Sequence, residues 1–548
     1  MRVRRWIALC IIVLGVSAAG CSRTTTTQPG TQNAWTQAGV LRLGEPDEPD
    51  NLNPLFGHTA ATDLADGMIF SFLLRYDANG DYIPDLATEV PSLRNGGISP
   101  NGRTITVHLR HHVRWSDGAP LTAADWIFTY HAVMNPANDT KSRYGWDDIA
   151  SATAPDPWTL LIHLKHPDAS FLEVLAMGGY AYPPLPAHLL AGDANINHAR
   201  FNDHPISSGP YILRRWDHGS SLTFVPNPSY FRGAPNLKRV IWKVIPDVNT
   251  LYTALVTHEI DVFPDVDENH IAAVTRLPGL TLKRKLVANW RRLMFNTSRP
   301  ALRHRRVRLA IAEAVDWPRL NATVYHGYGK LAVSDIFPRS WAAPAIAPYR
   351  YDPSGARRLL AAVGYRPGPA GVLQRDGRPL DLTIYSGNDK QENTEAEEVI
   401  QRALHAVGIR LRIRNYPVNL LFAQDGPLYT GHYDMEWTVD TMAPDPDNSG
   451  DWVGAFIPPN GANTAWLNDP LVNRLALAAK RTSRRSRRKA LYHREEERLH
   501  TLVPAVPFTW ERTVTAINRD VRHYDPAAYI ADSWNSWQWE VAPSAGKR

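Results

Sequence analysis

The sequence predicts an α/β protein of several compact units, and three observations carry that prediction. Its 548 residues exceed what one hydrophobic core holds, since single cores stop growing at about 250–300 residues. A hydrophobic share of 44% against 21% charged residues is that of a chain able to bury large cores. Segments of period-two apolar alternation are interleaved with segments of helical spacing, the pattern of strands and helices packed in layers.

The chain opens on an export signal. Arg2, Arg4 and Arg5 precede an uncharged apolar stretch from Trp6, and small residues Ser17, Ala18, Ala19 and Gly20 precede Cys21. That stretch is short for a bilayer of about 30 Å, which needs about 20 apolar residues, so residues 1–20 read as a cleaved signal peptide. "VSAAGC" resembles a bacterial lipobox, departing from it at Ala18 where Leu is usual, and makes Cys21 the expected lipidated first residue. Cys10 leaves with the signal, so the mature chain would hold no other thiol, which excludes disulfides, cysteine metal sites and a cysteine nucleophile. Residues 21–35 are expected to form a flexible tether, because "SRTTTTQPGTQN" offers nothing apolar to pack.

In the body, "RTITVHLR" puts Ile105, Val107 and Leu109 on one strand face and Thr104, Thr106 and His108 on the other. A helix follows, with Thr122 and Asp125 spaced as a capping box and Trp126, Ile127, Tyr130 and Met134 as its apolar stripe. From Val307, positions Ala310, Ile311, Ala314 and Val315 fall at helical spacing. "DPSGARRLLAAVGY" is a helix with Asp352 as N-cap, Pro353 in the first turn and Gly364 as its left-handed stop. "LDLTIYSG", then "TEAEEVIQRALHAVG" with a Thr394–Glu397 capping box, then "IRLRIRNY" form a βαβ unit. Its crossover leaves Ser386, Gly387 and Asn388 at the carboxyl end of a strand, where open α/β sheets bind ligands.

Charge and motifs exclude several functions. Apart from the signal arginines the net excess is only three positive charges, too diffuse for nucleic acid. The densest basic run, Arg481 to His500, is acidic in its second half and reads as a solvated helix with internal Arg–Glu pairs. No HExxH, GxSxG, GxxxxGK[ST] or CxxC occurs. His108, His111 and His112 straddle a strand and a turn, and His493 with Glu496 is two ligands short of a zinc shell. No metal, cofactor or catalytic group is expected.

A set of longer motifs resembles one family. "LRLGEPDEPDNLNPLF", "GRTITVHLRHHVRWSDGAPLTAADWIFTYHAV", "SSGPYILRRWDHGSSLTFVPNPSYFRGAPNLKRVIWKVIPD", "MFNTSRPALRHRRVRLAIAEAVDWPRL" and "GANTAWLNDPLVNRLALAA" together resemble the bacterial extracellular solute-binding proteins of family 5, the peptide, oligopeptide and nickel receptors of ABC importers. The resemblance runs from about residue 38 to 520. It implies a two-lobed periplasmic-binding-protein-like fold (class II, cluster C type) with lobe I at 36–290 holding a subdomain near 85–205, lobe II at 291–504, and a return to lobe I at 505–548. Crossings are expected in 285–297 and 500–512, and a crossing must bend without losing its sheet pairing. The implied protein is a monomeric, non-enzymatic, lipid-anchored receptor outside the cytoplasmic membrane, handing its solute to a permease and ATPase complex.

The resemblance also nominates site residues. Peptide-binding relatives anchor the ligand amine on an Asp three residues after a Trp. In "YDMEWTVDTMAPDPDNSGDW", aligning on Trp437 selects Asp440, whereas the ungapped register puts Ala443 there; Asp440 and Asp445 are both candidates, with turn chemistry the other reading of Asp445. Dipeptide receptors of the family carry an Arg after the strand matching "LTIYSG". Here Asn388, Asp389 and Lys390 stand instead, which favours longer peptides over strict dipeptides. Trp437, Asn388, Tyr144, Trp510, Asn53, Phe56 and Phe263 complete the expected cleft contacts. A non-peptide cargo on the same fold (nickel chelate, haem or oligosaccharide) is the alternative, and a secreted lipid-anchored hydrolase a remote one.

Overall fold

The computed structural model describes residues 32–541 apart from Tyr180, Asp389 and Gln424; the signal segment, Cys21 and most of the expected tether lie outside the described residues. The last tether residues are docked rather than free. Asn33 is buried because its backbone N–H donates to Asp520 Oδ2 (2.7 Å) and its amide to Gly279 O (2.7 Å) and Asn518 Oδ1 (2.8 Å), while Trp35 stacks on His258 with ring centroids 3.7 Å apart.

The elements that position the site are β1 (Val40–Glu45), β2 (Thr104–His108), α1 (Ala123–Met134), β3 (Ile149–Asp156), β4 (Thr159–Leu164), β5 (Tyr211–Asp217), β6 (Ser221–Pro226), β7 (Arg239–Val244), β8 (Val262–Phe263) and β9 (Leu280–Phe295). After them come β10 (Asp381–Gly387), α2 (Gln391–Ala406), β11 (Arg410–Tyr416), β12 (Met435–Thr441), α3 (Pro470–Lys480), α4 (Arg485–Leu502) and β13 (Ala505–Asn518). One sheet runs in the order β11-β10-β12-β9-β13-β8-β1-β7-β6-β5, and β2, β4 and β3 form a separate sheet. The expected βαβ unit is present, with β10 and β11 parallel over seven residue pairs. β9 and β13 are long enough to belong to both halves of the large sheet.

Their pairing bends where a hinge is needed. Leu286 faces Arg512 and Trp290 faces Trp510, so β9 spends four steps where β13 spends two, and a second shift follows between Arg291 and Arg292. Bulges of this kind twist a ribbon sharply without cutting the ladder on either side. Each half has its own core: Trp115, Trp126, Trp146 and Trp242 in one, Trp317, Trp437 and Phe508 in the other. A third cluster, Trp290, Phe337, Trp452 and Trp510, sits at the crossing.

The Thr122–Asp125 capping box forms, Thr122 N–H donating to Asp125 Oδ2 at 2.8 Å. The Thr394–Glu397 box does not. The helix begins three residues earlier, at Gln391, and Glu397 turns inward to accept from Asn415 Nδ2 (2.9 Å). Its other carboxylate oxygen is buried with no hydrogen-bond partner among the described residues, and burial pushes Glu397 up to about 7. A raised carboxyl keeps its proton in the folded chain, so the stability it contributes is complete below its unfolded value of about 4.3 and is lost as pH rises to about 7. Glu397→Gln is therefore expected to leave stability unchanged near pH 4 and raise it by about 1–3 kcal/mol near pH 8. Urea unfolding at both pH values measures this, and equal midpoints near pH 8 would refute it.

Candidate ligand-binding cleft

On one face of β9, alternate residues Trp290 and Arg292 point the same way, and β12 lies antiparallel beside them with Trp290 opposite Asp440. Glu436, Thr438 and Asp440 share the matching face of β12. Arg292 is buried over the Trp290 ring (4.9 Å), pairs with Glu436 Oε1 at 3.3 Å, and contacts Asp440, whose side chain is 37% exposed. Glu436 Oε1 also accepts from Thr438 (3.3 Å) and Thr464 (3.2 Å), while burial pushes this carboxyl up to about 6. Burial raises Asp451 as well, and neighbouring Asp440 adds to it. One guanidinium thus answers three carboxyl groups.

The group is also short of hydrogen bonds. Trp290 Nε1, Arg292 Nε and Nη1, and Glu436 Oε2 are buried with no partner among the described residues. Natural cores rarely leave several such atoms together, because each loses hydration worth about 1–3 kcal/mol. A small void lined by Trp290, Asp335, Trp452 and Glu496 opens beside them.

The opposite face of β9 carries a second polar group. Arg291 pairs with Glu511 at 2.7 Å, donates to Asn393 Oδ1 at 2.6 Å and lies over the Tyr325 ring (5.0 Å). Burial alone would raise Glu511, yet Arg291, Lys390 and the Asn289 amide hold it below the usual range. Lys390 follows β10 in one half and its charge reaches Asp265, which follows β8 in the other. The carboxyl ends of parallel strands from both halves therefore meet here, at the position where open sheets bind ligands.

Farther from the crossing, the halves touch along a polar seam. Ala169 N–H donates to Lys480 O (2.7 Å), Ser170 to Asp447 Oδ2 (3.0 Å), and Asp445 N–H to Glu173 Oε1 (2.9 Å). Lys480 sits 3.6 Å from Asp168 and 3.5 Å from Asp447.

Of the residues nominated from sequence, Asp440 offers its carboxylate at the crossing and Asn388 lies exposed at the end of β10. Tyr144 is 44% exposed at the seam, under Lys480 (5.3 Å). The others are placed differently. Asp445 is buried in a two-point pair with Arg488 (2.8 and 2.5 Å), which leaves it no charge to offer a ligand. Trp437 is core, donating from Nε1 to Tyr325 Oη (3.3 Å) and packing on Phe508 (5.1 Å). Trp510 is buried edge-on against Phe337 (5.1 Å). Asn53 is fully buried, donating to Asn202 Oδ1 and accepting from Leu55 N–H, so it braces its own loop. Phe56 and Phe263 fill the cores behind β1 and β8. Arg292 and Glu436 were not nominated; adjacent arginines inside an otherwise apolar crossing strand, "NWRRLMF", were the available signal.

Two half-sheets are thus joined through bulged strands, with several buried polar atoms at the joint that have no partner among the described residues. The model of the bacterial extracellular solute-binding proteins, family 5, matches residues 81–455, and the chain belongs to that family. It is 25% identical over 505 residues, 89% of each chain, to the oligopeptide-binding protein AppA of Bacillus subtilis. Protein XP55 of Streptomyces lividans is 30% identical over 387 residues, 69% of this chain and 66% of that one. Among solved structures, B. subtilis AppA in complex with a nonapeptide superposes with a TM-score of 0.77 at 23% identity, covering 93% of this chain and 100% of that one. NikZ from Campylobacter jejuni in complex with Ni(L-His) gives 0.77 at 25% identity, covering 92% and 100%. The fold is thus the two-lobed one of these binding proteins.

Proposed function

We propose that this chain is the extracytoplasmic receptor of an ABC importer, capturing peptides between its lobes and delivering them to a permease. Longer peptides are favoured over strict dipeptides. The observation that carries the reading is the Arg292–Glu436–Asp440 group, acid-rich, short of hydrogen bonds and set at the crossing. A peptide ammonium brings a positive charge and three donors to such a site, and lobe closure strengthens both by excluding water. The likeness to an oligopeptide-binding protein over 89% of the chain supports the same cargo. Lobe I at 36–290 with the return 505–548, lobe II at 291–504 and a subdomain near 85–205 are consistent with the bulges at Leu286–Arg292. Export through residues 1–20, lipidation of Cys21 and action as a monomer belong to the same proposal.

Among the described residues no three His, Cys, Asp or Glu are placed to hold a metal ion, so a chelated metal would have to be gripped through its chelator. Isothermal titration with a nonapeptide, a dipeptide, nickel–histidine and a set of oligosaccharides tests the proposal. Binding of the nonapeptide tighter than about 10 µM, with no sugar binding, is expected. Tight binding of sugars or of nickel–histidine with none of peptide would overturn it.

A further inference from the structure

The turn between α3 and α4 carries charge that the fold does not explain. Arg481, Arg484, Arg485, Arg487 and Lys489 are all exposed. Arg485 lies over the Trp341 ring (4.9 Å), and none of the five has an ion pair among the described residues. The internal Arg–Glu pairs expected from the sequence do not form: Glu495 and Glu496 are buried, and Arg488 is taken by Asp445. No acidic residue stands in the first turn of α4, whose free N–H groups already carry positive partial charge. Arg484, Arg485 and Arg487 therefore oppose the helix end they sit on, whereas Arg481 caps the C-terminal end of α3. Across the seam Ser483 approaches Gly102, where Lys165 donates to the Asp147 carbonyl and is offset by the Asp148 carboxylate, and exposed Arg103 extends the same positive patch.

We infer that this turn is an electrostatic docking surface for anionic phospholipid headgroups. Five cations on long side chains supply summed charge without a fixed shape. The other exposed residues of the stretch, Ser486 and Ala490, give no apolar anchor of the kind a protein partner would bury. A bilayer presents dense, laterally mobile phosphates that such an array can meet in many arrangements, and clusters of four to eight Lys or Arg are what anionic lipid surfaces attract. The inference rests on the extracytoplasmic reading, which keeps the chain beside a bilayer.

The test uses the chain from residue 21 onward carrying Cys21→Ser, so that neither a lipid nor the basic, apolar signal segment contributes, sedimented with phosphatidylcholine vesicles with or without about 30% phosphatidylglycerol. Binding is expected only to the anionic vesicles, lost between about 0.05 and 0.5 M salt. Arg484→Glu with Arg487→Glu is expected to weaken it about 30-fold or more while leaving peptide titration unchanged. Equal binding to both vesicle types, or an unaffected double variant, overturns the inference; capture by soluble polyglutamate but not by anionic vesicles would assign the surface to an acidic protein instead. Vesicle binding without peptide binding would leave the surface standing and remove the peptide proposal, so the two fail separately.

Discussion

Arg488→Ala is expected to destabilise the protein by about 3–5 kcal/mol near neutral pH, because it strands a buried carboxylate. Arg488 holds both oxygens of Asp445, donates to Tyr492 Oη at 2.9 Å and lies between the Trp341 and Tyr492 rings (5.4 and 5.5 Å). Asp445 and Glu173 are near neighbours in the interior: burial pushes both up, Asp445 raises Glu173, and Asp447 and Asp168 raise Asp445, while Arg488 pulls Asp445 back. Removing it leaves the Asp445 carboxyl buried, with the charges of Asp447 and Asp168 raising it and no cation among the described residues to answer it. The variant's Asp445 is then raised further, and the sign follows from that. Its stability is retained below the unfolded value of about 3.9 and lost as pH rises through the folded value, so the gap to wild type widens from about pH 4 upward. Arg488→Met combined with Asp445→Asn should recover most of the loss, since the Asn carbonyl can still accept from Asp447 N–H. Urea unfolding of the three proteins at two pH values reads this out. A loss below about 1 kcal/mol, or one that shrinks as pH rises, would mean that the pair is solvated in solution.

Local rules reached the elements more readily than the site, for a physical reason. A period of two in "RTITVHLR", or a cap at Thr122, is set by residues a few positions apart, and both stand as expected. The Thr394–Glu397 box obeyed the same spacing, but the half-buried Asn415 amide on the neighbouring strand competed for Glu397 and won. Site residues depend on which face turns toward the other lobe. Phe56 follows a strand and Phe263 ends one, as cleft residues do, yet their rings turn back into the cores. Trp437 and Asp440, three apart on one strand, face opposite ways, so the tryptophan that locates the motif is packed against Tyr325 while the aspartate meets Arg292. Arg292 and Glu436 are 144 residues apart, and only the register of β9 on β12 brings them together. Likewise Asp445 looked like turn chemistry or a ligand anchor until α4 placed Arg488 on it.

Asp440→Asn is expected to weaken binding of a peptide with a free amino terminus by about 30- to 1000-fold, the range for removing one partner of a desolvated charge pair. Asp440 is the carboxylate of its group that a ligand can reach, its side chain 37% exposed: Glu436 is fully buried and pushed up to about 6, and Asp451 is raised by burial and by Asp440 itself. A ligand ammonium there need not displace Arg292, since Glu436 still holds the guanidinium. The decisive comparison is a double cycle with the N-acetylated peptide. Acetylation removes the ligand's charge and should cost wild type about as much as the mutation does, whereas the Asn variant should distinguish the two peptides by less than about threefold. Folding should hardly change, because the Asp440 side chain is 37% exposed and its pair with Arg292 faces water on one side. If acetylation weakens both proteins equally, the amine sits elsewhere, and the carboxylates at the ends of β1 and β8 become the better address: Glu45 and Asp265, with Asp532 beside them, each raised by burial, Glu45 further by Asp532 and Asp265, and Asp532 further by Asp265.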